Sequence, residues 1–357
     1  RCIMPVNSFD NYPMSWKPDL NDITGPKYIA LAKLLESDIK SGKLKAGTKL
    51  PPQRELADFL DLNLSTISKV YKLCSQKGLL SASVGNGTYV SSDAAADPML
   101  LCAKEDSHMI EMGAIIPSVS CNTKVKQYAE HLMKKPDALN LFSYGVPEGT
   151  KRQRKAGAAW LEKSGFYTDT EHILPAAGGQ NALAAILGAF FETGDKIGTE
   201  PMTFPGIKTA AKLFGIHLLP VQSSRHEITE EGIRYAMQNE NIKGLYVIPD
   251  YQNPTSRIMS LETRKMIAKT AKSENLLVIE DGINNLLVPE PMPPIASFAP
   301  DQTVYISSLS KTISPGLRTA FIHVPGRFRE KLTAALYSMN ISISPLLATV
   351  SAALIED

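Results

Sequence analysis

Between Asn181 and Ser308 the chain alternates helix-like and extended segments, and that alternation constrains the fold more than any other feature. "NALAAILGAFFETG" reads as helix, "KIGTE" as extended, "IKTAAKLFG" as helix and "IHLLPV" as extended. "ITEEGIRYAMQNE" is helical, "KGLYVIP" extended, "LETRKMIAKTAKSE" helical, and "NLLVIED" and "TVYISS" extended. Short runs rich in branched apolar residues, separated by helices of crossover length, demand a mostly parallel α/β sheet with helices on its faces. Such a sheet binds its ligand outside the carboxyl ends of its strands.

The polar residues gather where those strands should end. "DYQNPTS" follows "GLYVIP", Asp281 follows "LLVIE", and "SLSKTISPGLR" follows "VYIS". Taken singly, each has an ordinary reading: a lysine after a strand is usually solvated, and an aspartate there commonly caps a helix. In "AAGGQNALAAIL", Gly178, Gly179 and Gln180 either form a simple turn or open a helix whose free N–H groups favour an anion.

The first quarter has a different character. Residues 27–90 hold ten Lys/Arg against five Asp/Glu, while the whole 357-residue chain carries only +2. A local basic excess is either a solvated face or a surface that meets phosphate. "YIALAKLLESDIKS" is an amphipathic helix stopped by Gly42, "QRELADFLDL" a second, and "LSTISKVYKLCSQKG" a third. The last two make a helix-turn-helix, with Ser65 and Thr66 either capping the third helix or facing a ligand. "LLSASVGNGTYVSS" forms a hairpin around Gly85 and Gly87.

The four cysteines form no CxxC pair and no histidine has ligand spacing near them, so neither structural zinc nor another metal site is expected. No apolar run approaches the roughly 18 residues that span a bilayer, and "RCIMPVNSFDNYP" lacks the apolar core of a signal peptide. These features lead to the expectation of a reduced, cytoplasmic protein without membrane contact. Residues 1–13 are set aside as an appended or displaced leader, since "MSWKPDL" would make a natural start. The expected boundaries are 14–90 for the basic domain, 91–108 for a linker and 109–357 for the α/β domain.

"LPPQRELADFLDLNLSTISKVYKLCSQKGLLSASVGNGTYV" resembles the winged helix-turn-helix of GntR-type transcription regulators. That resemblance implies that Arg54, Asn63, Ser65, Thr66 and Lys69 face double-stranded operator DNA, and that Gly85 and Gly87 let the wing approach it. Arginine can clamp phosphate or read guanine, and short hydroxyls at a helix start suit phosphate. Leu64 stands where the family often has arginine, which leaves the base contacts open.

Asn-Pro-Thr, an acid 28 residues later, and Ser-x-Ser-Lys followed by arginine seven residues on resemble the cofactor site of fold-type I pyridoxal-phosphate enzymes, the aminotransferase-like family. The resemblance implies pyridoxal 5'-phosphate held by Lys311 as a Schiff base, with Asp281 on the pyridine nitrogen and Asn253 on the ring hydroxyl. Ser308, Ser310, Arg318, Gly179 and Gln180 would surround the phosphate and Phe204 would stack on the ring. Tyr144 would reach the phosphate of a second subunit. Only a primary amine can hold an aldehyde as a Schiff base, and guanidinium is the natural bidentate partner of phosphate.

The two halves together resemble MocR-type regulators, which implies a homodimer whose amine, amino-acid or pyridoxal-phosphate effector is sensed at Lys311. An active aminotransferase carrying a DNA-binding domain is the alternative, and a cofactor-free scaffold a third. Asn284 counts against turnover, because the enzymes usually have tyrosine there. The resemblance also implies that the small domain, with its substrate-carboxylate arginine, lies beyond Asp357.

Overall fold

The computed structural model describes residues 14–20, 25–45, 47–83, 87–91 and 115–357. The chain divides into two units, Arg1–Pro98 and Met99–Asp357. The expected leader 1–13, Gly85 and the expected linker from 92 onward lie outside the described residues.

In the first unit, α1 (Lys27–Lys40), α2 (Gln53–Phe59) and α3 (Leu64–Gln76) precede β1 (Leu80–Ser83) and β2 (Gly87–Val90). Leu31, Leu35 and Ile39 of α1 pack with Leu56 of α2 and with Ile67 and Val70 of α3 in one buried cluster. Trp16 joins it from the segment before α1, and its indole N–H donates to Asp38 Oδ2 at 2.9 Å. The hairpin pairs Leu80 with Val90 and Ser83 with Gly87. Lys49 bridges to Tyr89, adding a third extended segment beside the wing.

One expectation fails here. Asn63, with φ −62° and ψ 138°, occupies the cap position of α3, so Ser65 and Thr66 lie inside its first turn and neither is the cap. A cap needs an extended backbone with helix following it, and that change of conformation falls at Asn63.

The second unit is built on seven strands: β3 (Ile173–Ala176), β4 (Lys196–Thr199), β5 (His217–Pro220), β8 (Ile242–Val247), β9 (Leu277–Asp281), β10 (Thr303–Ser308) and β11 (Ala320–His323). A small hairpin, β6 (Ser223–Ser224) with β7 (Glu227–Ile228), stands apart. The sheet order is β3-β11-β10-β9-β8-β4-β5. Its β5, β4, β8, β9 and β10 are parallel, and β11 runs antiparallel to both its neighbours. The expected parallel sheet is therefore present. Neither β3 nor β11 stands out in the alternation: β3 carries Pro175, and no crossover helix separates β10 from β11.

The remaining helices are α4 (Asn122–Met133), α5 (Lys151–Glu162), α6 (Gly179–Phe190), α7 (Pro205–Phe214), α8 (Glu230–Glu240), α9 (Leu261–Glu274), α10 (Ile295–Phe298), α11 (Arg329–Asn340) and α12 (Pro345–Glu356). Helix α6 starts two residues earlier and stops four earlier than expected, because Phe191 turns extended. Successive strand residues point to opposite faces. Tyr246 and Ile279 accordingly pack with α6, α7 and α11, whereas Leu245, Val247 and Val278 pack with α8 and α9. Among the described residues no helix is long and apolar enough to cross a membrane.

Candidate cofactor and DNA sites

At the carboxyl end of the sheet, strand alternation assigns two adjacent acids to opposite faces. Glu280 turns toward α10, where its two oxygens accept the N–H groups of Ile295 and Ala296 at 2.7 and 2.9 Å. Asp281 turns to the other face, 3% exposed. Its Oδ2 accepts the Tyr246 hydroxyl at 2.7 Å and its Oδ1 the Ile283 N–H at 3.3 Å. Burial raises the carboxyl to about 6, opposed by the Tyr246 hydrogen bond, the Ile283 N–H and the charge of Lys311. A buried acid partly held ionised in this way is suited to pair with a cationic ring nitrogen.

Lys311 follows β10 on the loop that closes at Arg318. It is half-buried, and burial lowers its pKa while Asp281 opposes the shift. A lowered ammonium pKa favours the neutral, nucleophilic amine. Its Nζ donates to the Ile115 carbonyl at 2.8 Å. The neighbouring Thr312 hydroxyl is buried without a partner among the described residues.

Arg318 ends that loop in a left-handed conformation, φ 44°, and its guanidinium lies against Gly178. A Cβ on Gly178 would overlap Arg318 Nη2, and Gly178 itself has φ +89°. The guanidinium's one hydrogen bond among the described residues is a 3.4 Å contact with the Ala177 carbonyl, and it has no carboxylate partner there. Gly178 is also the N-cap of α6, so this free guanidinium stands beside open backbone N–H groups. That pairing suits a dianion.

The other expected residues fall around this centre. Gln180 Nε2 donates to the Gly206 carbonyl at 2.8 Å, and its Oε1 is buried without a partner among the described residues. Gly206 is required there: a Cβ would overlap both the Phe204 ring and Gln180 Oε1. Phe204 is half-buried at the start of α7, packed against the core. The Ser308 hydroxyl contacts the Thr319 carbonyl at 3.1 Å and the Ser310 hydroxyl at 2.9 Å. Asn253 is exposed on the loop after β8. Asn284 is buried and donates to the Tyr251 carbonyl at 3.1 Å. Tyr144, 86% exposed, is not part of the cluster within this chain.

Three features have little or no signal in the sequence. Tyr246 looks like one more strand residue in "KGLYVIP". Glu200, after β4, is half-buried, and desolvation raises it to about 7 while it accepts the Ile248 N–H. Arg264 and Asp250 form a fully buried ion pair at 2.6 Å, and Asn285 donates to the same carboxylate at 2.9 Å. This pair ties α9 to the loops after β8 and β9.

In the first unit the exposed side of α3 and its cap presents Asn63, Leu64, Ser65 and Lys69, with Lys72 one turn further; Thr66 is half-buried. Arg54 is exposed on α2. Gly87 begins β2 at φ +107°, where a Cβ would meet the stem of Lys49 at 2.9 Å. Lys72 and Lys49 are basic positions that the motif reading did not single out.

Residues 108–357 match the family described as aminotransferase class I and II, and residues 27–90 match the bacterial regulatory proteins of the gntR family. The chain is 49% identical over 349 residues to the HTH-type transcriptional regulator YdeF of Bacillus subtilis (strain 168), covering 98% of this chain and 76% of that one. It is 23% identical to the HTH-type pyridoxine biosynthesis transcriptional regulator PdxR of Corynebacterium glutamicum, covering 80% of this chain and 63% of that one. Among solved structures, LysN, an α-aminoadipate aminotransferase from Thermus thermophilus, superposes with a TM-score of 0.63 at 22% identity. The match covers 69% of this chain, which spans 64% of that enzyme's length.

Proposed function

Because the chain belongs to the MocR-type group, a gntR-family winged helix fused to a class I and II aminotransferase-like domain, we propose that it is a pyridoxal-phosphate-dependent transcription regulator. In this reading it senses an amine, an amino acid or the cofactor itself at Lys311, and its winged helix binds operator DNA as part of a homodimer.

The observation that carries the reading is the Arg318 guanidinium, without a carboxylate partner among the described residues, laid on Gly178 at the opening of α6, on the same loop as Lys311. The donor set fits the cofactor: an amine of lowered pKa, a buried carboxylate, a guanidinium without a carboxylate partner among the described residues, and a helix N-terminus. Pyridoxal phosphate, when bound, supplies an aldehyde that a primary amine can hold and a ring that withdraws electrons. Lys311 would hold the aldehyde carbon, Asp281 the ring nitrogen, and Arg318 with Gly178–Gln180 and Ser310 the phosphate. Phe204 offers an apolar face for stacking and Asn253 an amide for the ring hydroxyl.

Coupling to DNA would start at Lys311. Its present partner is the Ile115 carbonyl, in the segment that leads into α4. A Schiff base on Nζ leaves at most one of its three N–H donors, which changes that donation. A ligand shifts an equilibrium only through different affinities for its two states, and this contact differs between them. Turnover is disfavoured by Asn284, whose amide is committed to Tyr251 rather than turned to a ring oxygen. Control of cofactor or amino-compound metabolism is the regulon that suits such a sensor.

The test is the absorbance of purified protein with pyridoxal phosphate, wild type against Lys311→Ala. A band above roughly 400 nm in the first alone is expected for a protonated Schiff base. No band in either sinks the cofactor reading. Equal operator affinity for the apo, loaded and amine-treated protein sinks the coupling.

A further inference from the structure

Tyr246 lies opposite Ile279 in the parallel pairing of β8 with β9, on the face that packs against α6, α7 and α11. Asp281 is two residues beyond Ile279 and therefore on the same face. The phenol extends along the sheet to the next layer, and its hydroxyl meets Asp281 Oδ2 at 2.7 Å with both residues fully buried. The other tyrosine buried in the central strands, Tyr305 on β10, turns instead toward Ser164 at 3.5 Å. Its strand partner is Glu280, on the opposite face.

We propose that Tyr246 is a positioning residue for the cofactor, its hydroxyl holding the Asp281 carboxylate fixed and ionised so that a proton stays on the pyridine nitrogen. The inference rests on the cofactor reading above.

A carboxylate has about four lone-pair sites, and two are occupied here, by Tyr246 on Oδ2 and by the Ile283 N–H on Oδ1. The remaining sites are free to accept from a ring N–H. The tyrosine donates, and a donor stabilises the charged form of the acid. Without it the desolvated carboxylate becomes more basic and takes the shared proton. The pair then changes from carboxylate with pyridinium to carboxylic acid with neutral pyridine, and the net charge is unchanged. The neighbouring charges bear on the same balance: Lys311 acts on Asp281, and Glu200 acts on Tyr246.

The arrangement also bears on Asn284. Its amide is committed to the Tyr251 carbonyl, so ring electronics in this chain depend more heavily on the nitrogen end. Tyr246 has no competing acceptor among the described residues, since its hydroxyl makes a single hydrogen bond there.

The experiment uses the full chain loaded with pyridoxal phosphate labelled with ¹⁵N in the ring, reading the ring-nitrogen chemical shift. Wild type should show a protonated ring. Tyr246→Phe should move the shift toward neutral pyridine, with Asp281→Asn marking that limit, and should weaken cofactor retention about tenfold, the loss expected for one hydrogen bond to a charged group. Tyr305→Phe removes an equally buried hydroxyl and should leave the shift at the wild-type value. A protonated ring in Tyr246→Phe overturns the inference and leaves the cofactor reading intact. Equal shifts in the two tyrosine variants overturn it as well, since generic loosening would then be the cause. If wild type binds no pyridoxal phosphate at all, the cofactor reading fails first and takes this one with it. Should Tyr246→Phe not fold, 4-aminophenylalanine at 246 replaces it: the weaker donor should move the shift toward neutral pyridine, and no change would overturn the proposal.

Discussion

Gly178 combines two requirements, a backbone at φ +89° and ψ 167° and a guanidinium where its Cβ would stand. That backbone region is essentially open to glycine alone, at a cost of about 1–3 kcal/mol for other residues. Gly178→Ala should therefore destabilise the large domain by about that amount. It should also displace Arg318, lowering affinity for pyridoxal phosphate by about tenfold or more, since a charge-assisted bond is lost. A cofactor titration and a urea melt check the two effects. The motif "AAGGQN" shows that glycines stand here. It does not show that one makes room for an arginine 140 residues later, because that contact exists only once β3 and the Lys311 loop lie side by side. Tyr246 was illegible for the same reason: nothing in "KGLYVIP" says which acid a strand tyrosine will meet.

At the scale of elements, α3 and α9 lead to separate expectations. Helix α3 presents Lys69 and Lys72 on its exposed side, so Lys69→Ala should weaken DNA binding uniformly across sequences. It should also reduce the slope of log affinity against log salt by about one. Asn63→Ala should instead change sequence preference, and binding assays over several salt concentrations separate the two. The helix and its start at Leu64 were legible from the apolar period and the turn before it, but the cap is Asn63 rather than Ser65 or Thr66. Helix α9 is anchored by Arg264 on Asp250. Arg264→Met leaves that carboxylate buried and unpaired, and should cost about 3–5 kcal/mol, read as a lowered urea midpoint. The helical period puts Arg264 on the face of Ile267, Ala268 and Ala271, but an arginine there names no partner until the fold brings Asp250 to it.

Across the molecule, the desolvated acids of the large unit and the lysine-paired Glu36 of the first unit should respond to pH in opposite senses. In the large unit, burial raises Glu280 and Glu200 from the ordinary 4.5 to about 7. The folded state then keeps protons that the unfolded chain has released. The stability these groups contribute is complete below about 4.5 and is lost as pH rises through about 7. His323, lowered by burial from 6.5 to about 4, acts in the other direction, its contribution lost as pH falls through 4. In the first unit, hydrogen bonds from Lys40 and Lys77 bring Glu36 down to about 2, so its contribution is present above 4.5 and disappears toward pH 2. Glu280→Gln should flatten the decline of the large unit's urea midpoint between pH 5 and 8, whatever constant offset the substitution adds. A slope equal to wild type would show that Glu280 does not titrate there. The sequence by itself determined the two-domain plan, the winged helix and the parallel sheet, because hydrophobic period and turn chemistry are local properties of the chain. It also placed Asp281 at a strand end, directly after an apolar run, and Lys311 and Arg318 on the loop that follows the next such run. Only the tertiary structure decided that Arg318 rests on Gly178, that Tyr246 holds Asp281, and that Arg264 pairs with Asp250. Those facts depend on strand order and register, which hydrogen bonding between distant segments sets and no local stretch encodes.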